Sequence, residues 1–138
     1  MSENIMPHAL PRKSILIVED EILVAMDIER ILVDAGYNVV AIAADRNEAV
    51  AAAPQAAMAF VDLNLRDGLT GPTVARCLAD QYGIRVIYVT ANPAQIDETA
   101  ATAVGYIRKP FSEPAILAAA NVALGIAADD AHEDLVRL

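Results

Sequence analysis

Short apolar runs alternate along the chain with longer stretches in which apolar residues recur every three or four positions. The short runs are Ser14–Val18, Asn38–Ile42, Ala57–Val61, Arg85–Val89 and Val104–Arg108. Several are β-branched and lack polar alternation, which is the pattern of strands covered on both faces. Between them, Glu21 to Ala35 places Ile22, Ala25, Ile28, Leu32 and Ala35 on one helical stripe, and Gly36 is placed to end that helix. Asp45–Ala53 and Thr70–Tyr82 predict two more helices, the second closed by Gly83. Pro93–Ala101 predicts a weaker one, because Thr99 and Thr102 dilute its pattern and Asn92-Pro93 biases its start. Ser112-Glu113-Pro114 opens the last helix with a capping residue and an early proline.

Five strands alternating with five helices predict an α/β domain, a doubly wound parallel sheet with helices on both faces. It occupies residues 13–127, with a flexible N-terminus (1–12) and a C-terminal tail (128–138) outside the pattern and expected to fray. The last helix, 112–127, departs from an ordinary surface helix. Ile116, Ala120, Ala123, Leu124 and Ala127 share one face, and the opposite face carries Ala118, Asn121, Val122, Gly125 and Ile126 without a charge. A helix apolar all round is usually covered on both sides. Either this is alanine-rich filler on a tolerant surface, or it forms a homodimer or partner interface.

At 138 residues there is room for one core, and 56% hydrophobic residues exclude a disordered chain. A net charge of −9 argues against a nucleic-acid groove and against anionic membrane surfaces. No signal peptide is evident at the N-terminus, and the longest apolar stretch, Ala115–Ala128, is interrupted by Asn121 and too short to span a bilayer. Cys77 is the only cysteine, so no intrachain disulfide can form. Together these features lead us to expect a cytoplasmic location. Cys77, Met26 and Met58 read as core, while His8 and His132 lie in the termini without neighbours to form a site.

In open α/β sheets, ligands bind beyond the carboxyl ends of the strands. The first strand ends in Glu19-Asp20, the third in Asp62, the fourth in Thr90, and the fifth is followed by Lys109-Pro110. Three carboxylates brought together repel unless a cation joins them, and oxygen ligands of this kind suit Mg²⁺. Asp62 can then act as a nucleophile toward a phosphoryl group, with Lys109 neutralising its oxygens and Thr90 donating a hydrogen bond. Singly, each residue reads as a turn, a cap or a solvated charge; Glu19-Asp20-Glu21 alone would suit a helix N-terminus. Their joint placement at the strand ends is what points to this chemistry.

The chain resembles the receiver domain of two-component response regulators over residues 13–127. The resemblance is carried by Ile15–Glu21, Phe60–Leu65 followed by Asp67-Gly68, Val89-Thr90-Ala91 and Gly105–Phe111. It implies a flavodoxin-like fold with strand order 2-1-3-4-5. It also implies that Asp62 is the phospho-acceptor and that Asp20 binds Mg²⁺ directly, with Glu19 acting largely through water. Asn64 is matched to the residue whose backbone carbonyl completes the metal shell, and Lys109 to the phosphate-binding lysine, followed by a cis bond to Pro110. Thr90 and Tyr106 are matched to the switch pair, in which the hydroxyl moves toward the phosphate and the ring turns inward. Glu19 stands where the family more often has Asp, a longer arm of equal charge. Tyr106 can also be read as a half-buried strand tyrosine without a switching role.

By this resemblance the chain is a stand-alone phosphorelay regulator rather than an enzyme. It would take its phosphoryl group from a histidine kinase or histidine phosphotransfer protein, hydrolyse its own acyl phosphate, and signal to a separate effector. Two other readings exist: a receiver fold kept as an unphosphorylated binding module, and an Asp-nucleophile phosphohydrolase of the haloacid dehalogenase type. The latter needs a second Asp two residues after the nucleophile, where this chain has Asn64.

Overall fold

The computed structural model describes residues 14–96, 103–126 and 132–138. A six-stranded sheet is built from β1 (Ser14–Val18), β2 (Asn38–Ala43), β3 (Met58–Val61), β4 (Arg85–Thr90), β5 (Gly105–Arg108) and β6 (Leu135–Arg137). Its order is β2-β1-β3-β4-β5-β6, parallel throughout except for the antiparallel β6. The first five strands are the expected doubly wound arrangement in the order 2-1-3-4-5. Because all five run the same way, their carboxyl ends share one rim.

Successive side chains on each strand feed opposite layers. Ile15, Ile17, Met58, Phe60, Ile87 and Ile107 pack under α1 (Ile22–Asp34) and α4 (Glu113–Ala123). Leu16, Val18, Ala59, Val61, Val86 and Tyr88 pack under α2 (Arg46–Ala52) and α3 (Gly71–Tyr82). A fully buried side chain such as Phe60 contributes about 1.5–3 kcal/mol by leaving water, so this two-layer core fixes the rim firmly.

Local chemistry sets the helix ends. The Asp45 carboxylate accepts from the Glu48 amide and the Glu48 carboxylate accepts from the Ala44 amide, a reciprocal pairing at the start of α2. Gly83 ends α3 at φ 66, in the left-handed region. Ser112 Oγ accepts from the Ala115 amide and caps α4, with Pro114 in the first turn. Ser112→Ala is expected to lower stability by about 1 kcal/mol. A shift in the urea midpoint at unchanged slope would show it, whereas an unmoved midpoint would mean that this cap contributes nothing.

Several sequence expectations are corrected. The tail does not simply lie outside the pattern: Leu135–Arg137 adds a sixth strand to the edge of β5 and buries Leu135. An open edge presents unpaired backbone groups, and this short strand pairs them. The tail also bears on α4. Both Ala118 and Val122 on its second face are buried, β6 packs against the helix, and Asn121 accepts a hydrogen bond from the Tyr37 hydroxyl. Of the uncharged face that suggested a homodimer, Ala118, Asn121 and Val122 are thus wholly or partly covered by the chain itself, while Gly125 and Ile126 are exposed. Ile22 and Met26 are exposed, at 60% and 52%, and Ile31 takes a core position instead. Cys77 is half-buried and stands outside the core, whereas Met58 is fully buried. Of the predicted helix 93–101, Pro93–Gln95 forms one 3-10 turn and residues 97–101 lie outside the described residues, as do residues 1–13 and His8.

Candidate functional site

The rim gathers its charged groups because four parallel strands end there. The turn after β1 supplies Glu19, Asp20 and Glu21, and the end of β3 supplies Asp62. Lys109, following β5, reaches across them. Its ammonium lies 2.7 Å from Glu19 Oε1, 3.2 Å from Asp62 Oδ2 and 3.1 Å from Glu21 Oε1. The peptide bond from Lys109 to Pro110 is cis, as the resemblance implied. Its own amide donates to the Thr90 carbonyl at 2.8 Å, so the lysine is tied to the end of β4 as well.

Glu19 and Asp62 are buried, while Asp20 is exposed. Burial pushes the Glu19 carboxyl up to about 7, against the lowering pull of its contact with Lys109 and with the negative charge of Asp62 adding to the rise. For Lys109 burial works against the charge. Its contact with Glu19, the Glu19 charge and the Asp62 charge outweigh that and hold the ammonium above its ordinary range. The site therefore holds more negative charge than one lysine neutralises.

Glu19, Asp20 and Asp62 each offer a carboxylate oxygen, and these oxygens lie within 4.8 Å of one another. Hard oxygen donors, one of them a carboxyl that burial pushes toward protonation, fit a small divalent cation such as Mg²⁺. Those three residues would hold it. Bound there, the ion would supply neutralisation of charge on phosphoryl oxygens. A cavity of about 290 Å³ opens onto the group, lined by Asp20, Glu21, Asp62, Asn64, Ala91 and Lys109. It leaves room for a phosphoryl group beside the Asp62 carboxylate.

Thr90 and Tyr106 stand one step back. Thr90 is fully buried at the end of β4, and its hydroxyl accepts from the Asn92 amide at 3.0 Å. Tyr106 is half-buried on β5, opposite Tyr88 on one side and Val136 on the other. The Asn64 amide donates to Asp62 Oδ1 at 3.3 Å, and its side-chain Nδ2 donates to Gln95 at 2.9 Å. His132 Nδ1 accepts from the Asp134 amide at 3.1 Å at the turn leading into β6.

Three contributors were not singled out from the sequence. Glu21 shares Lys109. Gln95 ties the loop after β3 to the turn after Thr90. Gly71, at the start of α3, is the third: its amide donates to the Leu63 carbonyl, and a Cβ there would run into the Asp62 carbonyl oxygen and come within 2.5 Å of Leu63 Cα. Only glycine lets α3 approach the backbone that carries Asp62. The Gly71-Pro72 pair at a helix start was the available signal. Gly71→Ala is expected to cost about 1–3 kcal/mol, because backbone rather than a flexible side chain must give way. Urea unfolding would measure it, and an unchanged midpoint would show that the loop moves freely.

The model for the response regulator receiver domain matches residues 15–121. The phyllosphere-induced regulator PhyR of Methylorubrum extorquens is 38% identical over 82 residues, covering 57% of this chain and 31% of that protein. The transcriptional regulatory protein PdtaR of Mycobacterium tuberculosis is 33% identical over 123 residues, covering 84% of this chain and 58% of that protein. This chain therefore spans less than two thirds of the length of either. Among solved structures, the receiver domain of Erythrobacter litoralis PhyR matches with a TM-score of 0.73 at 28% identity, over 82% of this chain and 90% of that one. PhyR from Brucella abortus matches at 0.66 and 29%, over 86% and 53%. A match across that span, on a fold shared with these structures, means that the chain belongs to the response regulator receiver-domain family of two-component signalling.

Proposed function

We propose that the chain accepts a phosphoryl group on Asp62 from a phosphohistidine of a histidine kinase or histidine phosphotransfer protein, with Mg²⁺ bound at Glu19, Asp20, Asp62 and the Asn64 carbonyl. An Asp62 oxygen attacks phosphorus, the P–N bond breaks, and the donor imidazole keeps the electron pair and takes up a proton. Lys109 holds Asp62 and balances the incoming charge. Thr90 rotates toward the new oxygens and Tyr106 fills the space behind it. Water attack on phosphorus later breaks the bond to the Asp62 oxygen, releasing inorganic phosphate and restoring the carboxylate.

The observation that carries this reading is the Lys109 ammonium bridging Glu19 and Asp62 at the rim. A phosphohydrolase is disfavoured because the position two residues after Asp62 is Asn64, whose amide bonds Gln95. We further read residues 13–127 as a receiver acting in the cytoplasm through a protein partner. The Bartonella quintana PhyR structure is described as an anti-anti-sigma factor, which supports a protein partner rather than nucleic acid or membrane. Among the described residues no helix is long and apolar enough to cross a membrane.

Intact mass after incubation with acetyl phosphate tests this reading. One added phosphate is expected, requiring both Mg²⁺ and Asp62. A folded, Mg²⁺-binding protein that takes no phosphate, even in rapid-quench samples, would support the unphosphorylated binding module instead.

A further inference from the structure

The C-terminal strand sits where it can respond to Asp62. β6 pairs with β5 as Gly105 with Arg137, Tyr106 with Val136, and Ile107 with Leu135, and the Leu138 amide donates to the Val104 carbonyl at 2.9 Å. Leu135 enters the same core layer as Ile107 and Val122. The fit at Gly105 is close: a Cβ there would lie 2.5 Å from the Val136 carbonyl oxygen. Three paired residues and one buried leucine hold this strand, whereas β4 has parallel neighbours on both sides. Strands with so few buried contacts open at low free energy.

Charge links the strand to the rim. A cavity of about 360 Å³ is lined by Arg108 and Lys109 on β5 and its following turn, by Glu133 and Asp134 at the entry to β6, and by Tyr106 and Val136. Lys109 lines this cavity and the Asp62 cavity alike. It is already shared by Glu19, Glu21 and Asp62. A phosphoryl dianion on Asp62 would draw the ammonium further toward the rim and leave Glu133 and Asp134 facing added negative charge.

We infer that β6 is a releasable latch on β5, held while Asp62 is a free carboxylate and loosened when it carries a phosphoryl group. The inference rests on the reading of Asp62 given above and adds what that modification does to the fold. Loosening bares the edge of β5 and uncovers Tyr106 from the Val136 side, on a surface closed in the unmodified protein.

Amide hydrogen exchange of the full chain, with Mg²⁺ and with or without beryllofluoride standing in for the phosphoryl group, tests the latch. The amides of Leu135–Leu138 are expected to lose protection by about tenfold on loading, in the range usual for two linked sites. Glu133→Gln with Asp134→Asn should shrink that change, and Gly105→Ala should loosen the strand without beryllofluoride. Loading is read independently from shifts of the Asp62 and Asn64 amides. If those amides shift while Leu135–Leu138 stay protected, the latch is overturned and the Asp62 reading stands. If they do not shift, both fall.

Discussion

Asp62→Asn is expected to abolish phosphoryl acceptance and, in metal-free buffer, to make the protein more stable. Asn keeps the shape of the side chain and its hydrogen bond from the Asn64 amide while removing one of the negative charges around a single ammonium. Glu19 is buried beside that charge, and its carboxyl is already pushed to about 7 by burial and, in part, by Asp62. Relief of such repulsion at a functional site stabilises by about 1 kcal/mol. The urea midpoint should rise with the slope unchanged. Added Mg²⁺ should narrow or reverse the gap, because wild type gains more from the cation. A drop in stability for Asp62→Asn in metal-free buffer would mean that its pairing with Lys109 outweighs the repulsion.

What the sequence made legible follows from range. Ser14–Val18 is an unbroken run of buried residues, and its pattern announces a central strand without reference to the rest of the chain. The rim was legible for a related reason: parallel strands carry their last residues to one edge, so Glu19, Asp20, Asp62, Thr90 and Lys109 could be collected by counting strand ends. The resemblance then supplied the strand order and the roles of Asn64 and Tyr106. Contacts between residues far apart in the chain were not legible. Gly71 matters because of where the Asp62 carbonyl lies, and Gln95 because of where Asn64 points. Ile22 fits the helical stripe but lies at the exposed first residue of α1, so periodicity overstated its burial. The three-residue β6 is too short for any periodicity to register. Its burial of Leu135 also explains why α4 can be uncharged on a second face, a feature that pointed outward to a dimer when read from sequence alone.

Lys109→Met should be the most destabilising single change at the rim. Methionine keeps the apolar stem and removes the ammonium, leaving Glu19 and Asp62 facing each other without compensation. Removing one partner of a sealed ion pair costs roughly 3–5 kcal/mol; this site opens on a cavity, so about 2–3 kcal/mol is expected. The loss should depend on pH. The Glu19 carboxyl in the folded protein stands at about 7, above its ordinary 4.5, so the folded state holds that proton more tightly. Its contribution to stability is complete below the ordinary value and is lost as pH rises through about 7. The contact with Lys109 lowers the Glu19 value, and the variant, lacking it, keeps the proton to higher pH. The penalty is therefore smaller at about pH 6 than at about pH 8. Mg²⁺ should restore more stability to the variant than to wild type, since the cation supplies charge that the lysine no longer does. Phosphoryl acceptance should nevertheless fall by about a hundredfold, because Lys109 is the one basic side chain among the described residues that line the Asp62 cavity. Equal midpoints for variant and wild type at both pH values would place the Lys109 charge in solvent and remove the bridge from the energetics of the site.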